Sequence, residues 1–114
     1  MKIPHEGDEQ IGFLRWFETH FRDVWIFHIP NGGHRAISVA KKMKAEGVKA
    51  GVPDLYIPAW KLWVEMKRTK GGVVSKDQRA WHEYLKSVGD SVIIGRGATD
   101  ASRQVMEFLK VQRG

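Results

Sequence analysis

The sequence predicts an α/β fold: a mixed sheet of roughly four strands flanked by helices, in the order α-β-α-β-β-α-β-α. Three observations carry this expectation. Apolar residues recur at three- and four-residue spacing in separate segments, short β-branched and aromatic runs alternate with those segments, and glycine or proline stands at most junctions.

Taken in order, residues 9–21 carry Ile11, Leu14, Phe17 and Phe21 as one apolar stripe. Glu9, Phe13, Phe17 and Phe21 form an i, i+4 row that sets a carboxylate at the helix start in line with core aromatics. Residues 24–29 are β-branched and aromatic and stop at Pro30, Asn31, Gly32 and Gly33, which reads as a strand and a loop. Across residues 34–46, Ala36, Val39, Ala40 and Met43 share one face, Lys41, Lys42 and Lys44 face outward, and Gly47 stops the helix.

Residues 55–57 and 62–67 are two short strands joined by a turn at 58–61, a hairpin. Ser75 to Gln78 reads S-K-D-Q, a capping box, followed by a helix whose stripe is Trp81, Leu85 and Val88 up to Gly89. Residues 91–94 form the fourth strand, and Thr99 or Asp100 caps a last helix with Ala101, Val105, Phe108 and Leu109 inward. A helix joins the third strand to the fourth, so that pair is expected to be parallel with a right-handed crossover, while the earlier pairs are antiparallel.

A length of 114 residues fits one domain spanning 1–114, and 42% hydrophobic residues with 11% aromatics supply a core, which excludes the disordered class. No run of eighteen apolar residues and no secretory leader are visible, so a soluble cytoplasmic protein with no membrane partner is expected. The chain has no cysteine, which excludes disulfides, thiolate metal sites and cysteine nucleophiles. Any metal must bind to oxygen or imidazole. The net charge is +6 and uneven: residues 1–30 hold three basic and five acidic side chains (−2), and residues 31–114 hold sixteen and eight (+8). Such a surface favours polyanions, nucleic acid first.

The chemistry concentrates in Gly51-Val52-Pro53-Asp54-Leu55 and, after the turn, Glu65-Met66-Lys67-Arg68. Residues two apart on a strand share a face, so Glu65 and Lys67 project together while Val64 and Met66 point to the apolar side. Hairpin pairing can bring Asp54 beside Glu65. Two adjacent carboxylates repel unless a cation or a proton lies between them, and Mg²⁺ or Mn²⁺ accepts such oxygen ligands while keeping positions for water and phosphate. Lys67 would then orient or help deprotonate the attacking water, or neutralise charge on the phosphate. Read on spacing alone, the same residues also fit a strand-edge ion pair worth under about 1 kcal/mol. Arg68, Lys70 and Lys76 directly follow this strand and are the first candidates for phosphate contact, ahead of Arg35, Lys41, Lys42, Lys44 and Lys49.

Together these residues resemble the virus-type replication-repair nuclease (VRR-NUC) domain of the PD-(D/E)XK nuclease superfamily. The resemblance runs through Glu9-Gln10 with Leu14, Arg15 and Trp16, then His28-Ile29-Pro30-Asn31-Gly32-Gly33, then Gly47-Val48. It continues through Gly51 to Leu55, Glu65 to Arg68, and Ser75 to Gln78 with Trp81, Leu85 and Gly89. It implies a restriction-endonuclease-like core and a Mg²⁺- or Mn²⁺-dependent endonuclease that hydrolyses DNA phosphodiester bonds, with Asp54, Glu65 and Lys67 as the catalytic centre.

By the same resemblance Glu9 is the helix-borne acid and a metal ligand, with Glu6 one turn earlier as the alternative. The main-chain carbonyl of Met66 is a further ligand. Gln78 either orients a group in the site or serves Ser75 in the cap. His28 reads as a partly buried strand residue, and Asn31 as either a phosphate contact or a turn residue. Compact members of the phage or bacterial type imply a homodimer that cuts branched DNA such as four-way (Holliday) junctions. The competing expectations are a non-catalytic nucleic-acid binding module of a replication or repair complex, and a nuclease acting on unbranched DNA or RNA.

Overall fold

The computed structural model describes residues 3–30 and 36–113, with the side chain of Arg113 outside the description. Its elements are α1 (Glu6–His20), β1 (Phe27–His28), α2 (Ile37–Ala45), β2 (Leu55–Ile57), β3 (Leu62–Lys67), α3 (Lys76–Ser87), β4 (Ser91–Arg96) and α4 (Ala98–Arg113), with a 3₁₀ turn at Pro58–Trp60. This is the expected element order. The sheet runs β1-β2-β3-β4, with the first two pairings antiparallel and β3–β4 parallel.

Alternation along the strands divides the sheet into two chemically different faces. Leu55 and Ile57 of β2 and Leu62, Val64 and Met66 of β3 are fully buried in one cluster with Phe13 and Phe17 of α1 and Ala101 and Val105 of α4. The other face carries Tyr56, Trp63, Glu65 and Lys67, and α3 packs there along β4. Gly95 allows α4 to dock: a Cβ there would lie 2.5 Å from the Cβ of Ala101.

Four expectations are corrected. The strand expected over residues 24–29 pairs only at Phe27–His28, because β2 offers three residues before the turn at Pro58 and an edge strand extends only as far as its partner. The expected inner face of α2 is not buried: Ala36, Val39 and Ala40 are exposed and Met43 half-buried, since two of the four are alanines with little area to remove from water. On α3 the buried residues are His82 and Leu85; Trp81 is half-buried and Val88 exposed. The helix is rotated so that polar side chains meet Glu65. At α4, neither Thr99 nor Asp100 supplies the first cap. The Ala98 N–H donates to Glu9 Oε1 at 3.1 Å, and Asp100 Oδ2 accepts from the Arg96 N–H at 2.9 Å. Asn31, Gly32, Gly33, His34 and Arg35 lie outside the described residues, and with them the expected loop and the start of the second helix.

Candidate active site

Asp54 is delivered by a loop with no slack. Gly51 holds φ +93, and a Cβ at this position would lie 2.6 Å from the main-chain carbon of Asp77, so the loop rests directly on the first turn of α3. Pro53 is buried behind it. The register Leu55↔Val64 places Asp54 across from Glu65 one step beyond the ladder. The Met66 N–H donates to Asp54 Oδ2 at 2.7 Å, which fixes the carboxylate against β3. Its main-chain oxygen accepts from the Ile29 N–H at 2.8 Å and contacts His28 Nδ1 at 2.9 Å. His28 is exposed, not partly buried as expected, and stands at the rim of the loop.

Glu65 is 1% exposed. Gln78 Nε2 donates to its Oε2 at 3.2 Å, and His82 Nε2 meets its Oε1 at 3.2 Å. Burial pushes the Glu65 carboxyl well above the usual carboxylate range, and the neighbouring charge of Asp54 and a side-chain hydrogen bond to it push the same way. Glu65 therefore keeps its proton to higher pH than an ordinary carboxyl. His82 is held below its ordinary value, first by burial and then by Lys86 and Lys67, so its contact with Glu65 is a hydrogen bond with a neutral imidazole and not an ion pair.

Lys67 is 6% exposed and lowers the Glu65 and Glu6 carboxyls through its charge. Among the described residues no carboxylate lies within ion-pair distance of its ammonium. Gly72 folds back on its stem, where a Cβ would come within 3.1 Å of Lys67 Cβ. Glu6 is the acid from α1 that senses the cluster. Its carboxyl is raised by burial and by Asp54, against the pull of Lys67.

The structure thus brings together Asp54, Glu65, Lys67 and Gln78, as read from the sequence, together with Glu6, the alternative helix acid, and adds His82. Gln78 fills both expected roles at once: its Oε1 accepts from the Ser75 N–H at 2.8 Å, completing the capping box, while its Nε2 reaches Glu65. Glu9 is not in the cluster. Its carboxylate caps α4 and lies against Gly97, so the expectation of Glu9 as the site's helix acid gives way to Glu6. Met66 contributes its N–H to Asp54 while its side chain is core.

Among the predicted phosphate contacts, Lys70 and Lys76 are exposed. Arg68 is half-buried and turned toward the N-terminal segment, donating to the Ile3 carbonyl at 3.4 Å, with its Nε buried and unpartnered. Asn31 lies outside the described residues. His82 was legible in principle as the residue one helical turn after Gln78; the apolar stripe through Trp81 pointed to a different face.

Among the described residues, no three histidine or acidic side chains converge to hold a metal on their own. The donor set fits a hard divalent ion that takes one or two carboxylates and completes its shell with water. Two adjacent, oriented carboxyls are a site where a cation can take the place of a proton.

The chain shares its fold with a solved structure of a VRR-NUC domain protein, at a TM-score of 0.77 and 24% identity, over 96% of this chain and 92% of that one. No protein-family model and no curated protein matches the sequence.

Proposed function

From the fold shared with a VRR-NUC domain protein, we propose that this chain is a Mg²⁺- or Mn²⁺-dependent endonuclease that hydrolyses DNA phosphodiester bonds. The observation that supports it is the pairing of the buried Glu65 carboxyl on β3 with the Asp54 carboxyl from the loop that enters β2, with the Lys67 ammonium beside them and not engaged by a carboxylate among the described residues.

A divalent cation, when bound, supplies Lewis-acid polarisation of the phosphate and a more acidic attacking water. Asp54 and Glu65 would hold it, with the main-chain carbonyl of Met66 as the further ligand that the resemblance implies. Asp54 is oriented by the Met66 N–H, and Glu65 by Gln78 and His82, so little side-chain ordering remains to be done on binding. Lys67 sets a positive charge where negative charge develops on the phosphate oxygens and is placed to orient the attacking water. Glu6, half-buried at the helix start with a raised carboxyl, is suited to pass a proton between the site and solvent. The exposed Lys70 and Lys76 follow the same strand and would hold backbone phosphates without reading bases, whereas Arg68 is turned toward the N-terminal segment.

A small domain with one such site makes one cut. Cutting opposed strands of a four-way junction requires two sites, so the substrate reading is a homodimer acting on branched DNA. The test is cleavage of labelled junction, flap, splayed-arm and linear duplex DNAs with Mg²⁺, Mn²⁺ or EDTA, alongside Asp54→Ala, with the solution mass read by light scattering. Metal-dependent cutting of the junction by a dimer, lost in the variant, supports the proposal. Cutting in EDTA, or cutting by Asp54→Ala at the wild-type rate, refutes it.

A further inference from the structure

The sheet face that carries Asp54, Glu65 and Lys67 also carries three aromatic rings in line. Phe27 pairs with Tyr56 and Tyr56 with Trp63, so the three side chains form one row across β1, β2 and β3. Their ring centroids are 5.9 Å and 4.3 Å apart. Trp63 is fixed by its Nε1, which donates to Asp90 Oδ2 at 2.9 Å. Phe27 is 51% exposed, and Tyr56 and Trp63 are half-buried. Among the described residues α3 reaches this face at β4, whereas α1 and α4 pack against the core face, so none of these three helices buries the row.

The position of the row matters as much as its composition. Trp63 precedes Glu65 by two residues on β3, and Tyr56 follows Asp54 by two, so the rings begin roughly 7 Å along the strands from the carboxylates. That is about the length of one extended nucleotide. We propose that Phe27, Tyr56 and Trp63 are a stacking platform that receives an unpaired base of the substrate strand next to the scissile phosphate. The proposal rests on the nuclease reading for the presence of the strand at this site.

Three arguments favour a base over an apolar protein partner. The row is continuous with the carboxylate pair on the same strands, so a partner seated on it would obstruct the approach to Asp54 and Glu65. The +6 chain attracts polyanions in general. Stacking is tolerant of base identity, since every base has a π-face, and it requires the base to be out of its duplex, which selects open or branched structures without sequence readout.

The test is equilibrium binding in EDTA, where no cutting occurs, to a single strand, a splayed arm and a blunt duplex, with 2-aminopurine at the unpaired position. Phe27→Ala and Tyr56→Leu are expected to weaken the single strand and splayed arm by roughly 5- to 100-fold, the worth of a base–aromatic stack. They should also abolish the quenching of 2-aminopurine and change duplex binding by less than about 2-fold. Phe27→Trp should keep wild-type affinity, and thermal melts establish that each variant is folded. Unchanged single-strand binding in both folded variants overturns the platform. So does an equal loss on duplex and single strand, and if this comes with a lower solution mass, the row belongs to a protein contact instead. Wild-type protein that stacks bases in EDTA yet cuts nothing with Mg²⁺ or Mn²⁺ refutes the nuclease reading and leaves the platform standing.

Discussion

Glu65→Gln is expected to stabilise the metal-free protein, and by more at higher pH. The Glu65 carboxyl is pushed from its ordinary 4.5 up to about 9 by burial and by Asp54. As pH rises, the unfolded chain releases this proton first. Between the two values the folded state holds the extra proton, so stability falls with pH across that window. Glutamine has the same shape, accepts from Gln78, can donate to the neutral His82, and does not titrate. One proton corresponds to about 1.4 kcal/mol per pH unit, so from pH 6 to pH 8 the variant should gain about 3 kcal/mol on the wild type. In a domain of this size that is a gap in Tm that widens by roughly 10 °C. The assay is far-UV circular dichroism melting of both proteins in EDTA at the two pH values. A gap that stays constant, or a wild type that gains on the variant as pH rises, refutes the account of Glu65 as a carboxyl that keeps its proton in the folded state.

Three further predictions concern the same residues. If the proposed cation displaces the Glu65 proton, Mn²⁺ affinity rises about tenfold per pH unit between pH 6 and 8, with about one proton released per ion, measured by calorimetry in buffers of different ionisation enthalpy. Glu6→Gln should slow cleavage while Glu9→Gln leaves it near wild type and lowers stability by about 0.5–1 kcal/mol through the α4 cap, so paired rate and melting measurements separate the two acids. Ser75→Ala should cost about 1 kcal/mol of stability with turnover retained, whereas Gln78→Ala should reduce both, because Ser75 serves only the helix end.

How far the site could be read from the sequence depended on the range over which each placement is decided. The shared face of Trp63, Glu65 and Lys67 follows from strand alternation, and the parallel fourth strand follows from the helix that joins it to the third; both are local or nearly local rules. The capping box at Ser75 was legible for the same reason. The choice between Glu6 and Glu9 was not, because both lie on nearly the same side of one helix. What decides it is the arrival of Ala98, 89 residues further on, which takes Glu9 as its cap. His82 was hidden by the usual preference for apolar residues inside: a buried histidine on α3 makes sense only once Glu65 is known to face it. The shortness of β1 depends on how much of β2 is available to pair, which periodicity within residues 24–29 does not contain.

Gln78 joins two properties that are usually separate. One amide closes the first turn of α3 with its oxygen and steadies the Glu65 carboxylate with its nitrogen. Helix ends open at far lower free energy than cores, so mild heat or urea that frays this turn should disarm the protein while its sheet and apolar interior are still intact. Loss of turnover ahead of any spectroscopic sign of melting would then mark this one side chain as the first point of failure.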